Sequence, residues 1–580
     1  MFTAQMLNII KSVNSILKSC KIFVGRNPVY IYAPAIIFFP LMPFQLNCGF
    51  AGLMTFKIKQ KLTELTADID LGELWEKIRS RGLKNVLDEK ITAEGYLNGL
   101  ETLKSMENTV LELKSESAQE ALFFQTKKTK KLLGVIEGMK LFITGEEKQL
   151  EANAEKFISA DLEIVNSRII LLKDLQWSLE KDILSNFGKI IELSGADETG
   201  AVNPASFKKY RKINFLLNSL DRLEVRGRDS AGLQIVFAME KEETLENIIA
   251  ALKEEKLYKD YLKRSREGDL VNGSIWIAPK ASSATDEAIN VTFTYKTFSI
   301  VGELGRNVRD LRQAIKKDRI LQHFARMETL CETTLSHTRW ASVGSITEEN
   351  CHPINNYRRS QPEMDFPFYP KAKAQINVVL NGDIDNYSAL RAQLETEREL
   401  IAAEITTDTK IIPLQIEKYL VAGNNLAEAF RLAVKDFEGS HAIAMTSDLE
   451  PGKVFLALKG SGQSIYIGIG SDQYMFSSEL YGLVEVMPNF VKMNGETGNR
   501  RESAATGQIF ILDQSSPGGL TGIAACYYDG KAISIKKSDI HKAEITTRDI
   551  DRGDYSHFFL KEISESAVSI KRTLQGFVFY

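Results

Sequence analysis

Cysteine is scarce in this chain, and proline falls short of its usual share: five cysteines and 14 prolines are spread over 580 residues. The cysteines (Cys20, Cys48, Cys331, Cys351 and Cys526) are odd in number and show no CxxC spacing. That pattern argues against a disulfide framework or a zinc site and fits a reducing, cytoplasmic setting. An excess of charge is also missing. The 73 Lys and Arg nearly balance the 76 Asp and Glu, for a net charge of -3. Nucleic-acid binding usually shows as a strongly basic face, so no such partner is expected. No apolar run is long enough to cross a bilayer as a helix. The most apolar stretch, Ile31–Phe44, is too short and is interrupted by Pro34, Pro40 and Pro43. What remains is the composition of a soluble globular protein, 44% hydrophobic and 26% charged. At this length more than one domain is expected.

Residues 1–47 stand apart. Lys11, Lys18, Lys21 and Arg26 precede the apolar stretch, as in a secretory signal, but Gln45-Leu46-Asn47 is not a small-residue cleavage site. A removable leader or propeptide, or a misassigned start, is the expectation for this segment.

Three regions follow. Cys48–Met54 reads as a short strand-like opening. From about Lys57 to Ile191 the chain turns helical: Leu100, Leu103, Met106, Val110 and Leu113 recur at spacings of three and four, as do Leu162, Val165, Ile169, Leu172, Leu179 and Ile183. The basic run Lys127–Lys131 reads as a solvated face. A turn-rich break at Ser194–Ala205 closes this region. Beyond Ile213, short β-branched and aromatic runs succeed one another: Leu233–Ala238, Val291–Val301, Ile376–Leu380, Ala442–Met445, Val454–Leu458, Ile465–Ile469 and Gln508–Leu512. Helical stretches such as Val308–Ile315 and Ala427–Val434 lie between them. Many strands without βαβ alternation imply stacked antiparallel sheets flanked by helices, an α+β fold.

Several short segments carry chemistry-bearing residues in a fixed order. Cys48-Gly49-Phe50-Ala51-Gly52 comes first, then Arg226-Gly227-Arg228-Asp229-Ser230-Ala231-Gly232. His337-Thr338-Arg339-Trp340-Ala341-Ser342-Val343-Gly344 follows, with Asn350-Cys351-His352-Pro353 just beyond it. Asn381-Gly382-Asp383-Ile384-Asp385-Asn386 and Thr407-Asp408-Thr409 complete the set. Singly each has a plain reading: Asn-Gly as a turn, Asp408 as a helix cap, Cys48 as a small buried hydrophobe.

The ordered set resembles the glutaminase half of glutamine–fructose-6-phosphate aminotransferases, among the class II (N-terminal nucleophile) amidotransferases. Phe437–Met445, Phe476–Leu480 and Asp554–Leu574 are similar to further segments of that family. The resemblance covers roughly residues 48–56 and 208–574. It implies a four-layer αββα N-terminal-nucleophile hydrolase fold spanning 48–56 and 208–545. An all-α subdomain (57–207) would be inserted, and 546–580 would lead toward a sugar-isomerase domain that the chain lacks. It also implies hydrolysis of L-glutamine through a cysteine thioester, with Cys48 as nucleophile and no cofactor or metal. The Asn381 side chain and the Gly382 backbone N–H would stabilise the oxyanion. Arg339 would take the substrate α-carboxylate and Asp408 its α-ammonium, with Trp340, Thr409 and His352 also at the substrate. Arg226, Asp229, Gly232 and Gly344 would play supporting roles. A sugar-isomerase partner using fructose 6-phosphate and a homo-oligomeric state are implied in the same way. A different ammonia acceptor, or a non-catalytic scaffold with unprocessed Cys48, are the competing readings.

The chemistry agrees with those roles. A thiol needs a base or an electropositive setting to act as a nucleophile. If Cys48 were the first residue, its own α-amino group would sit within reach of the sulfur. As the chain stands, Asn47 precedes Cys48, and an amide nitrogen accepts no proton. Four positions depart from the family pattern: Arg228, Val343, Leu380 and Lys410. The last would bring a cation beside Asp408.

Overall fold

A computed structural model describes residues 23–24, 27–28, 48–57, 71–197, 199–239, 242–266, 271–278, 289–300, 302–357, 375–397, 400–470, 472–496, 507–553 and 555–577. Nearly all of residues 1–47, expected to be a leader or propeptide or a misassigned start, lies outside the described residues. The chain forms two units. One comprises residues 1–45, 153–163 and 552–580, and includes the two-residue ladder Phe23–Val24 with Asn27–Pro28 and the helix Phe558–Phe577. The other, residues 46–152 and 164–551, holds two large sheets.

In chain order the strands of these sheets are β1 (Gly49–Thr55), β2 (Ser230–Met239), β3 (Ile275–Ile277), β4 (Ile289–Phe298) and β5 (Cys331–Arg339). Then come β6 (Ile376–Gly382), β7 (His441–Ser447), β8 (Lys453–Lys459), β9 (Tyr466–Ile469) and β10 (Gln473–Ser477). The last four are β11 (Asn489–Lys492), β12 (Gln508–Asp513), β13 (Ile523–Tyr527) and β14 (Ile540–Lys542). One sheet runs β14-β11-β9-β10-β1-β5-β2-β4-β3 and the other β13-β12-β8-β7-β6, with every pairing antiparallel.

Period-2 alternation sorts the strand residues into two cores. Val379, Ala444 and Leu456 point into an apolar layer shared with Phe50, Met54, Leu335 and Phe476 of the larger sheet. Their neighbours Val378, Leu380, Ile443, Met445, Phe455 and Ala457 face the opposite way, against helices. This is the arrangement of a strand buried on both faces, where each face needs its own covering layer.

The covering helices on the smaller sheet are Ile411–Val421 and Leu426–Asp436, which supply Ile412, Leu414, Ile416, Phe430 and Val434 to that outer core. On the larger sheet, the helix Pro204–Leu223 packs on β1 and β5, and Arg306–Lys317 packs on β2 and β4. The order helix, sheet, sheet, helix is the α+β αββα layering expected.

Between β1 and β2 the described chain is helical: Leu71–Arg79, Leu100–Leu113, Glu116–Phe124, Thr126–Asn153, Ser159–Trp177 and Ser185–Leu193 precede Pro204–Leu223. Their apolar stripes are buried as the spacing requires, with Leu103, Met106 and Val110 inward on the second of them. Lys127, Lys128, Lys130 and Lys131 are exposed on the first turns of Thr126–Asn153. The helix Pro204–Leu223 runs straight across residue 207. It is capped by the Asn203 side chain accepting from the Ser206 amide, with Pro204 in its first turn.

Candidate active site

The first residue of β1 follows directly on Cys48. Register places Gly49 opposite Thr338 on β5, so Cys48 lies where Arg339 and Trp340 leave that strand. Its thiol accepts a hydrogen bond from the Trp340 amide at 3.3 Å and donates to the Trp340 carbonyl at 3.5 Å. Burial pushes this thiol up to about 12. The Trp340 hydrogen bond and the Arg339 charge oppose that shift, and Asp408 and Asp383 add to it.

Close backbone approach explains several glycines of the motifs. A Cβ on Gly232 would lie 1.9 Å from the His352 carbonyl oxygen, and one on Gly227 would lie 2.6 Å from the Arg339 carbonyl carbon. Gly344 and Gly382 have φ of +86° and +88°, where side chains are strained, and a Cβ on Gly382 would sit 2.1 Å from the Ser440 oxygen. Asn381-Gly382 is therefore not the hairpin turn that the pair suggests by itself. It is the end of β6, an edge strand, with Gly382 registered on His441.

The two sheets are pinned together beside the thiol. His337 on β5 lies with Nε2 2.8 Å from the Leu380 carbonyl oxygen on β6. Burial lowers His337 to about 3 and takes His352 well below the ordinary imidazole range, so both rings, 4.2 Å apart, are neutral at physiological pH. Asn381 makes no hydrogen bond to Cys48. It follows Leu380, and its buried side-chain oxygen has no hydrogen-bond partner among the described residues.

Arg339 is 2% exposed. Its guanidinium donates to the carbonyls of Val343, Gly344 (3.4 Å) and Ser345 (2.9 Å), so the loop 340–345 folds back over its own arginine. Asp408, 5% exposed, accepts from the Ile384 amide at 3.0 Å and contacts the hydroxyls of Thr407 and Thr409. Burial raises its carboxyl to about 6. Among the described residues neither Arg339 nor Asp408 has an oppositely charged group within ion-pair distance. Each is thus buried without an ion-pair partner, and Arg339 acts electrostatically on Asp408 as both do on the Cys48 thiol.

The remaining expected residues surround this pair. Thr409 contacts His352 Nε2 at 2.9 Å. The Asp229 carboxylate accepts from the Ala341 amide at 2.8 Å, and Arg226 pairs with Glu479 at 2.5 Å. Asp408 is no helix cap: Thr407 holds the cap position of the short 3-10 turn Asp408–Lys410. The Lys410 ammonium is directed at the carbonyls of Asn355 and Tyr357, not at Asp408. Leu380 faces the outer core, and Val343 serves through its carbonyl.

Sequence reasoning passed over three residues. Asn350 makes hydrogen bonds to both sides of the site. Asp383 accepts from Ser342 Oγ at 2.6 Å and sits next to Gly382. Glu479 holds Arg226. Asn350 and Asp383 lie inside motif segments, and that was their only signal.

Residues 359–485 match the family described as a glutamine amidotransferase domain. That stretch contains Asn381, Gly382 and Asp408, but neither Cys48 nor Arg339. Curated relatives include the isomerizing glutamine–fructose-6-phosphate aminotransferase of Methanothermobacter thermautotrophicus, 28% identical over 240 residues, which cover 41% of this chain and 34% of that protein. The enzyme of the same name from Methanosarcina mazei is 30% identical over 249 residues, 42% of this chain and 34% of the relative. The chain thus spans about a third of the length of these relatives. Among solved structures, the glutamine phosphoribosylpyrophosphate amidotransferase from B. subtilis aligns with a TM-score of 0.31 at 13% identity, over 54% of this chain and 46% of that one. The chain carries a region related to glutamine amidotransferases. No helix among the described residues is long and apolar enough to cross a membrane.

Proposed function

We propose that this protein hydrolyses L-glutamine to glutamate and ammonia at Cys48, once the chain has been cut between Asn47 and Cys48. The observation that carries the reading is the buried pair Arg339 and Asp408. They are opposite in sign and unpaired, and both act electrostatically on the same thiol. An amino acid bound through its main-chain groups supplies a carboxylate for the guanidinium fork and an ammonium for the carboxylate. Its side-chain amide then points at the sulfur.

In the processed chain the α-amine of Cys48 accepts the thiol proton, through a water. The sulfur attacks the amide carbon, and the negative charge collects on the amide oxygen. The Asn381 side-chain amide and the Gly382 N–H are assigned as its donors; one such donor is typically worth about 3–4 kcal/mol in the transition state. The α-ammonium returns the proton to the departing nitrogen, ammonia leaves, and water hydrolyses the thioester. The loop 340–345 excludes bulk water while the thioester persists.

Residues 48–56 and 208–545 are assigned to this amidotransferase domain, with 57–207 as an inserted helical subdomain. Because the helix Pro204–Leu223 covers β1, it is counted with the amidotransferase layers, which moves the end of the insertion from residue 207 to residue 203. The acceptor we propose for the ammonia, on the strength of the resemblance to aminotransferases, is fructose 6-phosphate on a sugar-isomerase domain or subunit, with a different acceptor as the alternative. A second reading, a regulatory module without catalysis, draws on the thiol's value of about 12 with Asn47 still attached. Glutamate release from L-glutamine, compared between the protein and its Cys48→Ala variant, separates the two. Release that depends on Cys48 supports catalysis, and none from protein that begins at Cys48 overturns it.

A further inference from the structure

Asn350 is fully buried and uses both ends of its amide. Its Nδ2 donates to Ser345 Oγ at 3.3 Å, to Thr347 Oγ1 at 2.9 Å and to the Glu404 carbonyl at 2.9 Å. Its Oδ1 accepts from the amides of Thr406 at 2.8 Å and Thr407 at 2.9 Å. Ser345 lies on the loop whose carbonyls hold the Arg339 guanidinium, and Thr347 follows two residues after it. The other three lie on the segment that runs directly into Asp408. A parallel tie joins the same two segments: the Ser345 amide donates to Thr406 Oγ1 at 3.0 Å. A Cβ on Gly344 would lie 2.8 Å from the backbone of Thr406 and Thr407, so the two segments pass each other with no room for a side chain at that point.

We propose that Asn350 is a positioning residue that sets the separation of Arg339 and Asp408, and thereby selects for ligands carrying both an α-carboxylate and an α-ammonium. The inference rests on the glutamine-binding reading above. It follows from how the two charges are held. Arg339 takes its place from the 343–345 carbonyls, and Asp408 takes its place from residues 404–407. Among the described residues, Asn350 is the buried side chain that bonds to both. A ligand that contacts only one charge tolerates a small change in their separation. A ligand that must reach both does not.

The experiment measures calorimetric Kd values on the full chain carrying Cys48→Ala, which binds without turnover. The ligands are L-glutamine, 4-aminobutanamide (no α-carboxylate) and glutaramate (no α-ammonium). Asn350→Asp keeps the acceptor for Thr406 and Thr407 but loses the donor to Ser345, Thr347 and Glu404. It is expected to weaken L-glutamine by about tenfold or more and to leave each analogue within about twofold, so that selectivity falls. Turnover of the otherwise native chain should show KM for glutamine rising with kcat retained. Equal weakening of all three ligands, or unchanged selectivity in a folded variant, overturns the inference. If Asn350→Asp fails to fold, Thr347→Val decides the matter. It removes one acceptor of the Asn350 amide and should lower selectivity in the same direction by about threefold; no change overturns the proposal. Failure of the Cys48→Ala parent to prefer glutamine over both analogues would instead count against the functional reading itself.

Discussion

The Trp340 amide nitrogen lies 3.3 Å from the Cys48 sulfur, a hydrogen bond that favours a thiolate, yet burial outweighs it and the thiol is pushed up to about 12. Relative to an ordinary thiol near 9.0, the ionised fraction at neutral pH falls by about a thousandfold. Cys48 in chains that retain Asn47 should therefore alkylate far more slowly with iodoacetamide at pH 7.5 than a free peptide thiol. Peptide mapping over a time course checks this, and rapid modification of Cys48 in the uncut chain contradicts it.

Asp408 supplies a pH dependence. Its carboxyl, raised by burial to about 6, must be ionised to hold an ammonium group. As pH falls through about 6 it protonates, so KM for glutamine should climb below that point while remaining flat above it. The profile should disappear in Asp408→Asn, with binding weak at every pH.

Glu224 gives a stability counterpart away from the thiol. It is fully buried, accepts from the amides of Gly305 and Val308 (3.1 Å), and burial raises its carboxyl to about 7. A carboxyl whose folded value exceeds its unfolded value near 4.5 binds its proton more tightly in the native state. Its contribution is present at low pH and is lost as pH rises from about 4.5 to 7. Chemical denaturation across that range should show stability attributable to Glu224 declining, and Glu224→Gln should flatten the trend.

Two glycines test the backbone geometry. Gly232→Ala places a methyl 1.9 Å from the His352 oxygen, and Gly382→Ala adds a strained φ to a 2.1 Å clash with Ser440. Each should cost about 1–3 kcal/mol of stability or more, read as a fall in Tm. Gly145→Ala, at a helical site with nothing within 4 Å, should be neutral or slightly stabilising.

How much of this was legible in the sequence depends on the element. Short runs rich in β-branched, aromatic and other apolar residues located Leu233–Ala238, Ile376–Leu380 and Val454–Leu458, because these strands bury both faces. The strand Cys331–Arg339 was hidden. Its Glu332, Thr333, Thr334, Ser336, His337 and Thr338 are polar and buried, and among the described residues the side chains of all but Thr333 find a partner in β1 or β6. Local pattern cannot reveal partners that far away in the chain. The Asn381-Gly382 pair was ambiguous for a related reason: the same dipeptide serves a hairpin or a strand end, and only the register with His441 decides between them. Lys410 looked like a threat to Asp408 in the sequence. Its side chain turns to two carbonyls instead, a choice set by the fold of residues 355–357. Asn350 could be seen as part of a motif, but its five partners come from two segments that meet only in three dimensions.

The most direct test of the central claim is intact-protein mass spectrometry with N-terminal sequencing, before and after exposure to 6-diazo-5-oxo-norleucine, a glutamine analogue that alkylates such cysteines. A chain that begins at Cys48 and gains one adduct there is the result the account predicts. A chain that begins at Cys48 and takes no adduct, or one that retains Asn47 and still hydrolyses glutamine, would contradict it.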